Sequence, residues 1–506
     1  MSEWALELRG IDKRYGAVVA NRGVTLAVRA GTVHAVVGEN GAGKTTAMRI
    51  AYGLERADGG ELAIRGRPVD IRRHSPAGAI ARGLGMVHQH FMLVGPMTVA
   101  ENVALGREPR RGPWLDRRAA ERHVADLARR YGLRVDPTAR VDQLSVGEQQ
   151  RVEILKVLSR GCDVVILDEP TAVLAPPEVD ELFAVVRGLV AAGATVVIIT
   201  HKLDEVVDLA DRVTVMRRGE VVAELEGALD PDAIARAMVG RPVTLAVPRA
   251  AARPGDVALD VRDLYVAGRG ADAVHGVTLQ VRAGEIVAIA GVVGNGQTEL
   301  VEAIAGLRPV RAGSVAIAGV DVTRAPVRAR HAAGLAHVPE DRHARGLVLA
   351  LPVADNAILG RERECAGRFG LDRGRQRAIA RGIIDRFDVR PPRVDVPAAA
   401  LSGGNQQKLV VGRELTRSGL RVLLIAQPTR GVDIGASELL YREIAAARDA
   451  GAGVLLASAD LAEVRALADR AVVMVRGRIA ASVDAEQLAA DDAVDRLGRA
   501  MTGAAP

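Results

Sequence analysis

The feature that most constrains this chain is that it repeats itself once. Val33–Gly43 (VHAVVGENGAG) matches Ile286–Gly296 (IVAIAGVVGNG), and Leu144–Gln150 (LSVGEQQ) matches Leu401–Gln407 (LSGGNQQ). The offset between the copies stays close to half of the 506 residues. That period is far longer than the roughly 20–50 residues of a solenoid repeat. The sequence therefore predicts a tandem duplication of one whole domain.

The join between the copies can be read in the sequence. Val243–Gly255 (VTLAVPRAAARPG) places two prolines and several small residues between two patterned regions. We predict one domain at 1–243, a linker at 244–256 and a second domain at 257–506. Each half alternates strand-like and helix-like segments, and aliphatic runs such as Val164–Leu167 suit buried parallel strands. The predicted fold is α/β in each half, with a largely parallel core sheet and a helix-rich middle.

Composition excludes several classes of protein. The two cysteines, Cys162 and Cys365, cannot form a disulfide framework and are expected to be idle thiols in a reducing cytosol. No apolar stretch approaches the roughly 18 residues of a membrane span, so we expect a soluble chain that relies on other chains for any pore. The net charge of +6 comes from scattered arginines mixed with acids, which favours a solvated exterior over a nucleic-acid surface.

The first half carries a complete phosphate loop. Gly38–Thr45 (GENGAGKT) follows an apolar strand and precedes an apolar helix pattern, which is the context that a G-x-x-x-x-G-K-T motif requires. Lys44 is expected to reach the β- and γ-phosphates of ATP, and Thr45 to bind Mg²⁺. A plain glycine-rich turn is the alternative, but it does not explain the lysine and threonine. The predicted ATP-binding residues here are Gly38, Glu39, Asn40, Gly41, Ala42, Gly43, Lys44, Thr45 and Thr46.

Four further positions in the first half suit nucleotide chemistry. Asp168 and Glu169 end an apolar strand, where they are predicted to bind Mg²⁺ and to polarise the attacking water. His201 follows another apolar strand, at the place of a γ-phosphate sensor. Gln89 lies in the stretch Val87–Leu93 (VHQHFML) and is predicted to be a catalytic residue and a Mg²⁺ ligand. His201 could instead be an ordinary surface residue, and Gln89 an ordinary polar loop residue.

An aromatic residue near the N-terminus completes the predicted site. Tyr15 could stack on the purine ring of ATP, although an aromatic side chain at this position is as readily explained as part of the core.

Together these motifs resemble the ABC ATPase family. Ser145–Glu148 matches its LSGGQ-like signature, and the order of phosphate loop, Gln loop, signature, Walker B strand and switch histidine is that of the family. The resemblance implies two tandem ABC-type P-loop NTPase domains, each with a small β part and a helical subdomain beside the core sheet. It also implies head-to-tail pairing, in which each ATP lies between the phosphate loop of one domain and the signature of the other.

The second half keeps this scaffold but loses much of its chemistry. Gln297 replaces the lysine before Thr298, Ala426 and Gln427 replace the two Walker B carboxylates, and Ala459 replaces the switch histidine. Glu340, in the stretch VPEDR, stands at the Gln-loop position. By the family pattern, this half has a degenerate ATP site.

The signature of the second half is nevertheless the better of the two. Ser402, Gly403 and Gly404 keep the family pattern, and Asp433 is retained in the stretch TRGVD after the Walker B strand. The implied pairing places these residues opposite the complete set in the first half. Ser145 and Gly147, separated by the unusual Val146, would then face the degenerate site, so one working site and one crippled site are expected.

The tandem fusion resembles the ATP-binding subunits of bacterial importers for simple sugars and nucleosides. His88–Leu93 (HQHFML) and Ile425–Thr429 (IAQPT) favour the nucleoside-type branch. The resemblance implies two transmembrane permease subunits, an extracytoplasmic solute-binding protein and two copies of this chain in each transporter. It also implies a peripheral position on the cytoplasmic face of the membrane and no nucleic-acid partner. Because an apolar stretch follows Gln89, permease loops are expected to dock near Phe91–Pro96 and its repeat counterpart.

Two other classes remain as alternatives. A soluble tandem ABC ATPase that acts on ribosomes would generally carry two competent sites and a long charged linker, and this chain shows neither. A DNA-repair ATPase would call for inserted zinc-binding cysteines, which two thiols cannot provide.

Overall fold

The chain divides into two compact units, Met1–Val243 and Thr244–Pro506. The computed structural model describes residues 3–16, 18–89, 91–171, 174, 176–242, 252–268, 271–292, 294–368, 370–490 and 492–501. Residues 244–251 of the predicted linker lie outside the described residues.

The first unit combines a mainly parallel sheet with a separate antiparallel sheet. Its strands are β1 (Trp4–Tyr15), β2 (Val18–Arg29), β3 (Val33–Val37), β4 (Gly59–Ile64), β5 (Arg67–Val69), β6 (Leu84–Val87), β7 (Arg110–Arg111), β8 (Trp114–Leu115), β9 (Val164–Asp168), β10 (Thr195–Thr200), β11 (Arg212–Arg217) and β12 (Glu220–Glu226). Among the described residues, the central sheet has the order β12–β11–β3–β10–β9–β6, and only β12 pairs in the antiparallel sense. The antiparallel sheet has the order β2–β1–β4–β5, while β7 and β8 form a hairpin.

The helices of the first unit include several that begin after a capping side chain. They are α1 (Lys44–Tyr52), α2 (Pro76–Ala81), α3 (Val99–Ala104), α4 (Arg117–Arg130), α5 (Val146–Ser159), α6 (Pro176–Ala191), α7 (Leu203–Leu209) and α8 (Pro231–Val239). Thr98 and Glu101 form a capping box at the start of α3, and Ser145 and Glu148 form another at the start of α5. Helices α3, α4 and α5 contact one another and make the helical part of this unit.

The second unit repeats this plan. Its strands are β13 (Val257–Ala267), β14 (Asp272–Arg282), β15 (Ile286–Ala290), β16 (Val310–Ile317), β17 (Val320–Asp321), β18 (Leu335–Val338), β19 (Ala366–Gly367), β20 (Gly370–Leu371), β21 (Val422–Ala426), β22 (Gly453–Ser458), β23 (Arg470–Val475) and β24 (Arg478–Val483). The central order is β18–β21–β22–β15–β23–β24, the antiparallel order is β14–β13–β16–β17, and β19 pairs with β20.

The helices of the second unit follow the same sequence of elements, except that two helices and not one come after the last strand. They are α9 (Gln297–Ala305), α10 (Val327–Ala332), α11 (Val353–Asn356), α12 (Arg373–Phe387), α13 (Gly403–Leu415), α14 (Ile434–Asp449), α15 (Leu461–Leu467), α16 (Ala485–Ala489) and α17 (Ala493–Met501). None of the helices formed by the described residues of either unit has both the length and the hydropathy needed to span a bilayer.

Side chains of the central strands are buried on both faces of the sheet. In β15, Ile286, Ala288 and Ala290 pack into a core that also contains residues of α12 and α13, whereas Val287 and Ile289 pack against the antiparallel sheet and α9. A continuous aliphatic run in a parallel strand predicts a sheet that is buried on both faces, as is found here. The expected α/β fold, with its small β part and helical part, is confirmed in both units.

A buried ionic cluster holds the C-terminal end of α13, the helix that begins at the second signature. Glu414 accepts hydrogen bonds from Arg413 Nε at 2.7 Å and Arg417 Nε at 2.5 Å. Burial would raise the pKa of Glu414, but the two guanidinium groups outweigh it and lower this pKa to about 2. Arg413 also donates to the carbonyl oxygen of Gly346 at 2.8 Å. The cluster therefore ties α13 to the segment before α11.

Replacing Glu414 by glutamine should destabilise the second unit. The two guanidinium groups would lose their buried counter-charge, and removing one partner of a buried pair typically costs roughly 3–5 kcal/mol. Because the folded pKa is depressed from an ordinary 4.5, this contribution is present above pH 4.5 and is lost as the pH falls toward 2. Denaturant unfolding should show the loss at neutral pH and a shrinking difference in acid. The exposed Glu486→Gln variant is the control, and equal stability of the two variants would contradict the assignment.

Candidate functional site

The phosphate loop of the first unit has a backbone that needs glycine at two tight positions. Gly38 has φ +155° and Gly43 has φ +95°. A Cβ on Gly38 would lie 2.2 Å from the carbonyl oxygen of Met216, and one on Gly43 would lie 2.3 Å from that of Ala20. The loop therefore curls directly from the end of β3 into α1, with the helix N-terminus at its mouth.

Lys44 lies over this loop and is almost fully buried. Its side chain donates to the carbonyl oxygens of Gly38 at 2.7 Å and Glu39 at 3.0 Å. A buried ammonium group requires such acceptors. Phosphate oxygens are stronger acceptors for this charge than neutral carbonyls, so Lys44 is held at the place where a phosphate chain would meet it.

Asp168 and Thr45 bring two oxygen donors together beside the loop. Asp168 is the buried last residue of β9, and its carboxylate accepts a hydrogen bond from the Thr45 hydroxyl at 3.2 Å. Burial raises the pKa of Asp168, and the hydrogen bond from Thr45 opposes this shift. Hard oxygen donors of this kind are those that Mg²⁺ prefers.

Glu169 lies at the centre of the remaining polar side chains. It has φ +47°, and its N–H donates to the carbonyl oxygen of Ile199 on β10 at 2.9 Å, which turns the side chain away from the strand. Its carboxylate accepts from Gln89 Nε2 at 2.8 Å and lies 3.2 Å from His201 Nδ1. Burial would raise the pKa of Glu169, but His201 and Lys44 outweigh it and lower this pKa. The group is therefore held as a carboxylate.

The topology explains why residues so distant in sequence meet here. Strands β3, β10, β9 and β6 are parallel neighbours, and the phosphate loop, His201, Asp168–Glu169 and Gln89 each follow the carboxyl end of one of them. Ligands of open parallel sheets bind at this edge. The structure thus brings together the predicted phosphate loop and the predicted residues that follow the neighbouring strands, namely Gln89, Asp168, Glu169 and His201.

Tyr15 lies at the end of β1 on the rim of the loop. Its side chain is about half exposed, with the Lys13 ammonium 5.1 Å from the ring centre. Partial burial and then the nearby Glu55 raise the pKa of Tyr15, whereas its hydrogen bond with Thr46 lowers it. The ring therefore lies beside Thr46, the residue that follows the phosphate loop, and stays partly exposed.

Both signatures are the N-termini of helices. Ser145 caps α5 and exchanges hydrogen bonds with Glu148, and Val146 beside it is 40% exposed. Ser402 caps α13 and accepts from the backbone N–H and side-chain amide of Asn405. Such termini present unpaired N–H groups and suit anions.

Small residues in both signatures allow close packing. A Cβ on Gly147 would lie 2.5 Å from the Glu178 carboxylate, and one on Gly404 would lie 3.5 Å from that of Asp433. Asp433 itself caps α14 and accepts from Ala436 N–H at 2.8 Å. The second signature and the loop after β21 are therefore neighbours within their unit.

The second unit keeps the backbone of a nucleotide site but fills it with other contacts. Gln297 turns back and donates to the carbonyl oxygen of Ile289 at 2.9 Å, so it does not reach over the loop as Lys44 does. Gln427 has φ +49° and an N–H bond of 2.8 Å to Ala457, the geometry of Glu169 without its carboxylate. Ala459 directly follows β22, as His201 follows β10.

One contact in this unit was missed by the sequence analysis. The Thr298 hydroxyl donates to Glu340 at 2.9 Å, and Glu340 also accepts from Arg430 at 2.7 Å. The sequence could have suggested this ion pair, because the opposite charges of Glu340 and Arg430 replace the uncharged Gln89 and Ala172 of the first half. A small pocket remains, lined by Gln297, Thr298, Glu340, Ala426, Gln427 and Ala457.

The model of the ABC transporter family matches residues 21–172 and 274–430. The chain belongs to the ABC transporter family. Each matched range contains one of the two phosphate loops, one signature and one Walker B strand described above. The family binds ATP, and this ABC protein is an ATPase.

Curated relatives are similar over nearly the whole chain. The nucleoside import ATP-binding protein NupA of Lactococcus lactis is 44% identical over 489 residues, which are 96% of each chain. The guanosine import ATP-binding protein NupO of Bacillus subtilis is 43% identical over 505 residues, 99% of this chain and 98% of that protein. The ribose import ATP-binding protein RbsA 1 of Rubrobacter xylanophilus is 44% identical over 483 residues, 95% of each.

Proposed function

We propose that this ABC protein is the ATP-hydrolysing subunit of a bacterial importer for nucleosides or simple sugars. The observation that carries the proposal is the complete set of polar groups around Glu169 in a chain that is similar over its whole length to import ATP-binding proteins. These relatives are named for import, and the ribosome-acting alternative is not favoured.

The first unit would supply the chemistry of hydrolysis. Lys44 and the loop amides bind the β- and γ-phosphates, and Glu169 accepts a hydrogen bond from the attacking water and orients it. Gln89 and His201 already contact the Glu169 carboxylate, so they fix its orientation before the substrate arrives. Tyr15 stacks on the base.

The donor set beside the loop fits Mg²⁺. Thr45, Asp168 and Gln89 are the side chains that would hold the ion. When bound, Mg²⁺ neutralises charge on the phosphates. The second unit has Thr298 but no Asp or Glu at 426 or 427, so its donor set is poorer.

We infer that the working site is completed by the other signature. Head-to-tail pairing places Ser402, Gly403, Gly404 and Asp433 against ATP held by the first phosphate loop. The N-terminus of α13 then presents backbone N–H groups to the γ-phosphate. The opposite site combines Gln297, Ala426, Gln427 and Ala459 with Ser145 and Gly147 and is degenerate.

The assembly we propose contains two permease subunits, an extracytoplasmic solute-binding protein and two copies of this chain at the cytoplasmic face of the membrane. Met92 and Val94, just after Gln89, are 66% and 42% exposed. The backbone of Met92 is nevertheless fixed by Glu153 and Lys156 at 2.7 Å each. Apolar side chains held outward in this way suit a docking surface for permease loops.

Glu169→Gln should nearly abolish ATP turnover while ATP stays bound. Groups that act mainly in the transition state contribute on the order of 10²–10⁴ in rate, and the loop with Lys44 is untouched. The matched variant Gln427→Glu should restore little to the degenerate site, because Ala426 and Gln297 still leave metal and phosphates unsupported. Steady-state ATPase assays and nucleotide-binding assays on the assembled transporter measure the turnover and the ATP binding of each variant. Substantial hydrolysis by Glu169→Gln would show that the catalytic carboxylate is elsewhere.

Ser402→Arg should be as damaging as Glu169→Gln, and Ser145→Arg should be much milder. Both variants lose the same type of helix cap, worth about 1 kcal/mol, so each controls for the structural effect of the other. They differ in the ATP site that each signature is proposed to complete. ATPase assays on the assembled transporter compare them, and equal losses would contradict the proposal of a single working site.

Deleting the gene should reduce uptake of labelled nucleosides. The reason is similarity to nucleoside importers, together with the stretches His88–Leu93 and Ile425–Thr429. Complementation with the wild-type gene should restore uptake, and the Glu169→Gln gene should not. Lost ribose uptake with normal nucleoside uptake would reject the nucleoside branch and keep the importer class. Normal uptake of both would reject the importer proposal.

A further inference from the structure

A chain of polar contacts in the second unit runs from its phosphate loop to the loop after β21. Glu340 connects the two, since one carboxylate oxygen accepts from Thr298 at 2.9 Å and the other from Arg430 at 2.7 Å. The Glu340 side chain is 19% exposed. An ion pair in this partly buried position fixes both loops relative to the segment that follows β18.

Arg342 extends this chain of contacts to the signature. Its guanidinium donates to the carbonyl oxygen of Arg430 at 3.0 Å. A Cβ on Gly403 would lie only 2.7 Å from the other terminal nitrogen of Arg342, and one on Gly431 would lie 3.6 Å from it. The guanidinium therefore packs directly against the backbone at the start of α13, in a space that glycine leaves open.

The environment of Arg342 shows that it is held rather than solvated. Burial lowers its pKa, with the neighbouring Asp341 opposing this shift. Within the described part of the chain, its Nε is buried and finds no hydrogen-bond partner. A desolvated cation in this position costs free energy, and its contacts with Arg430 and the signature loop fix its geometry.

The next residue secures the same helix by a separate contact. His343 Nε2 lies 2.8 Å from the Gln406 side-chain oxygen, and the Gln406 amide donates to the carbonyl oxygens of Ala398 and Leu401, just before the signature. Arg342, the last residue of VPEDR, and His343 after it thus contact the beginning of α13 with consecutive side chains.

The first unit does not have the residues for this arrangement. Phe91 stands at the position of Arg342 and Ala172 at that of Arg430. Its Gln89 instead contacts the Walker B carboxylate Glu169. The polar link from phosphate loop to signature therefore belongs to the unit whose own site is degenerate and whose signature is intact.

We propose that Arg342 is a positioning residue. It couples the position of the degenerate phosphate loop, at Thr298, to the position of the signature of the same unit. The proposal rests on the proposed function, in which Ser402–Gly404 complete the working ATP site. Thr298, Glu340, Arg430 and Arg342 are the successive members of the link. Its role is to fix the N–H groups at the start of α13 in the orientation that the transition state requires.

The test is kinetic and uses the assembled transporter. Arg342→Ala should lower kcat for ATP about 10-fold or more, because a small misplacement of a positioned group can cost up to about 10²-fold. ATP affinity of the purified chain should not change, because Lys44 and its loop lie in the other unit. Arg342→Lys should recover part of the rate, since it keeps the charge but not the planar fork.

A double-mutant cycle separates transmission from local support. Thr298→Val removes the hydroxyl donated to Glu340 and should lower kcat by a smaller factor. In the double variant its effect should disappear, because residues of one network are not additive. Arg345→Ala is the matched control, since Arg345 lies in the same turn but pairs with Glu302 at 3.2 Å, and its kcat should remain normal.

Each outcome decides the proposal. It is overturned if Arg342→Ala behaves as Arg345→Ala does, or if the effects of Thr298→Val and Arg342→Ala simply add. Should Arg342→Ala fail to fold, Arg342→Lys and its cycle with Thr298→Val give the same decision. Ser402→Arg, measured in parallel, keeps the two proposals apart: if it abolishes turnover while Arg342→Ala does not affect it, only the link is wrong. If Arg342→Ala lowers kcat but Ser402→Arg does not, the trans signature and the link through it are both rejected.

Discussion

The parallel pairing of β3, β10, β9 and β6 is the constraint on which the rest of the first unit depends. The carboxyl ends of parallel strands lie at the same edge of the sheet, so the loops that follow them meet there. The strands must be buried on both faces to be stable, and the helices and the antiparallel sheet provide that cover. The site is therefore assembled by backbone pairing, and its polar residues need only follow the right strands.

The second unit shows that this scaffold does not depend on the two carboxylates at the end of the Walker B strand. Glu169 and Gln427 have nearly the same positive φ and the same type of N–H bond to the neighbouring strand, although only one is a carboxylate. A non-glycine residue with positive φ costs free energy, and the geometry persists in both units. The two units therefore differ here in their side chains and not in their backbone, and contacts such as that of Thr298 with Glu340 occupy the edge of the sheet in the second unit.

The residues at the Gln-loop positions of the two units, Gln89 and Glu340, make different contacts. Gln89 contacts the Glu169 carboxylate of its own unit, whereas Glu340 connects a phosphate loop to Arg430 and, through Arg342, to a signature. The buried cluster around Glu414 fixes the far end of α13. In the proposed assembly, the degenerate half becomes a rigid support for the signature that the working half needs.

The sequence alone determined the repeat, the α/β fold, the family and the residues replaced in the second half. These features are local: strand periodicity, glycines in a phosphate loop and motif spacing are written in short segments, and backbone pairing follows from them. Tertiary structure decided the contacts of Gln89 and His201 with Glu169, the turn of Gln297 onto Ile289, and the link from Thr298 to Gly403. Such contacts depend on where loops from different strands bring flexible side chains. The charge introduced by Glu340 could not be interpreted from the sequence, because only the structure shows that Arg430 lies beside it.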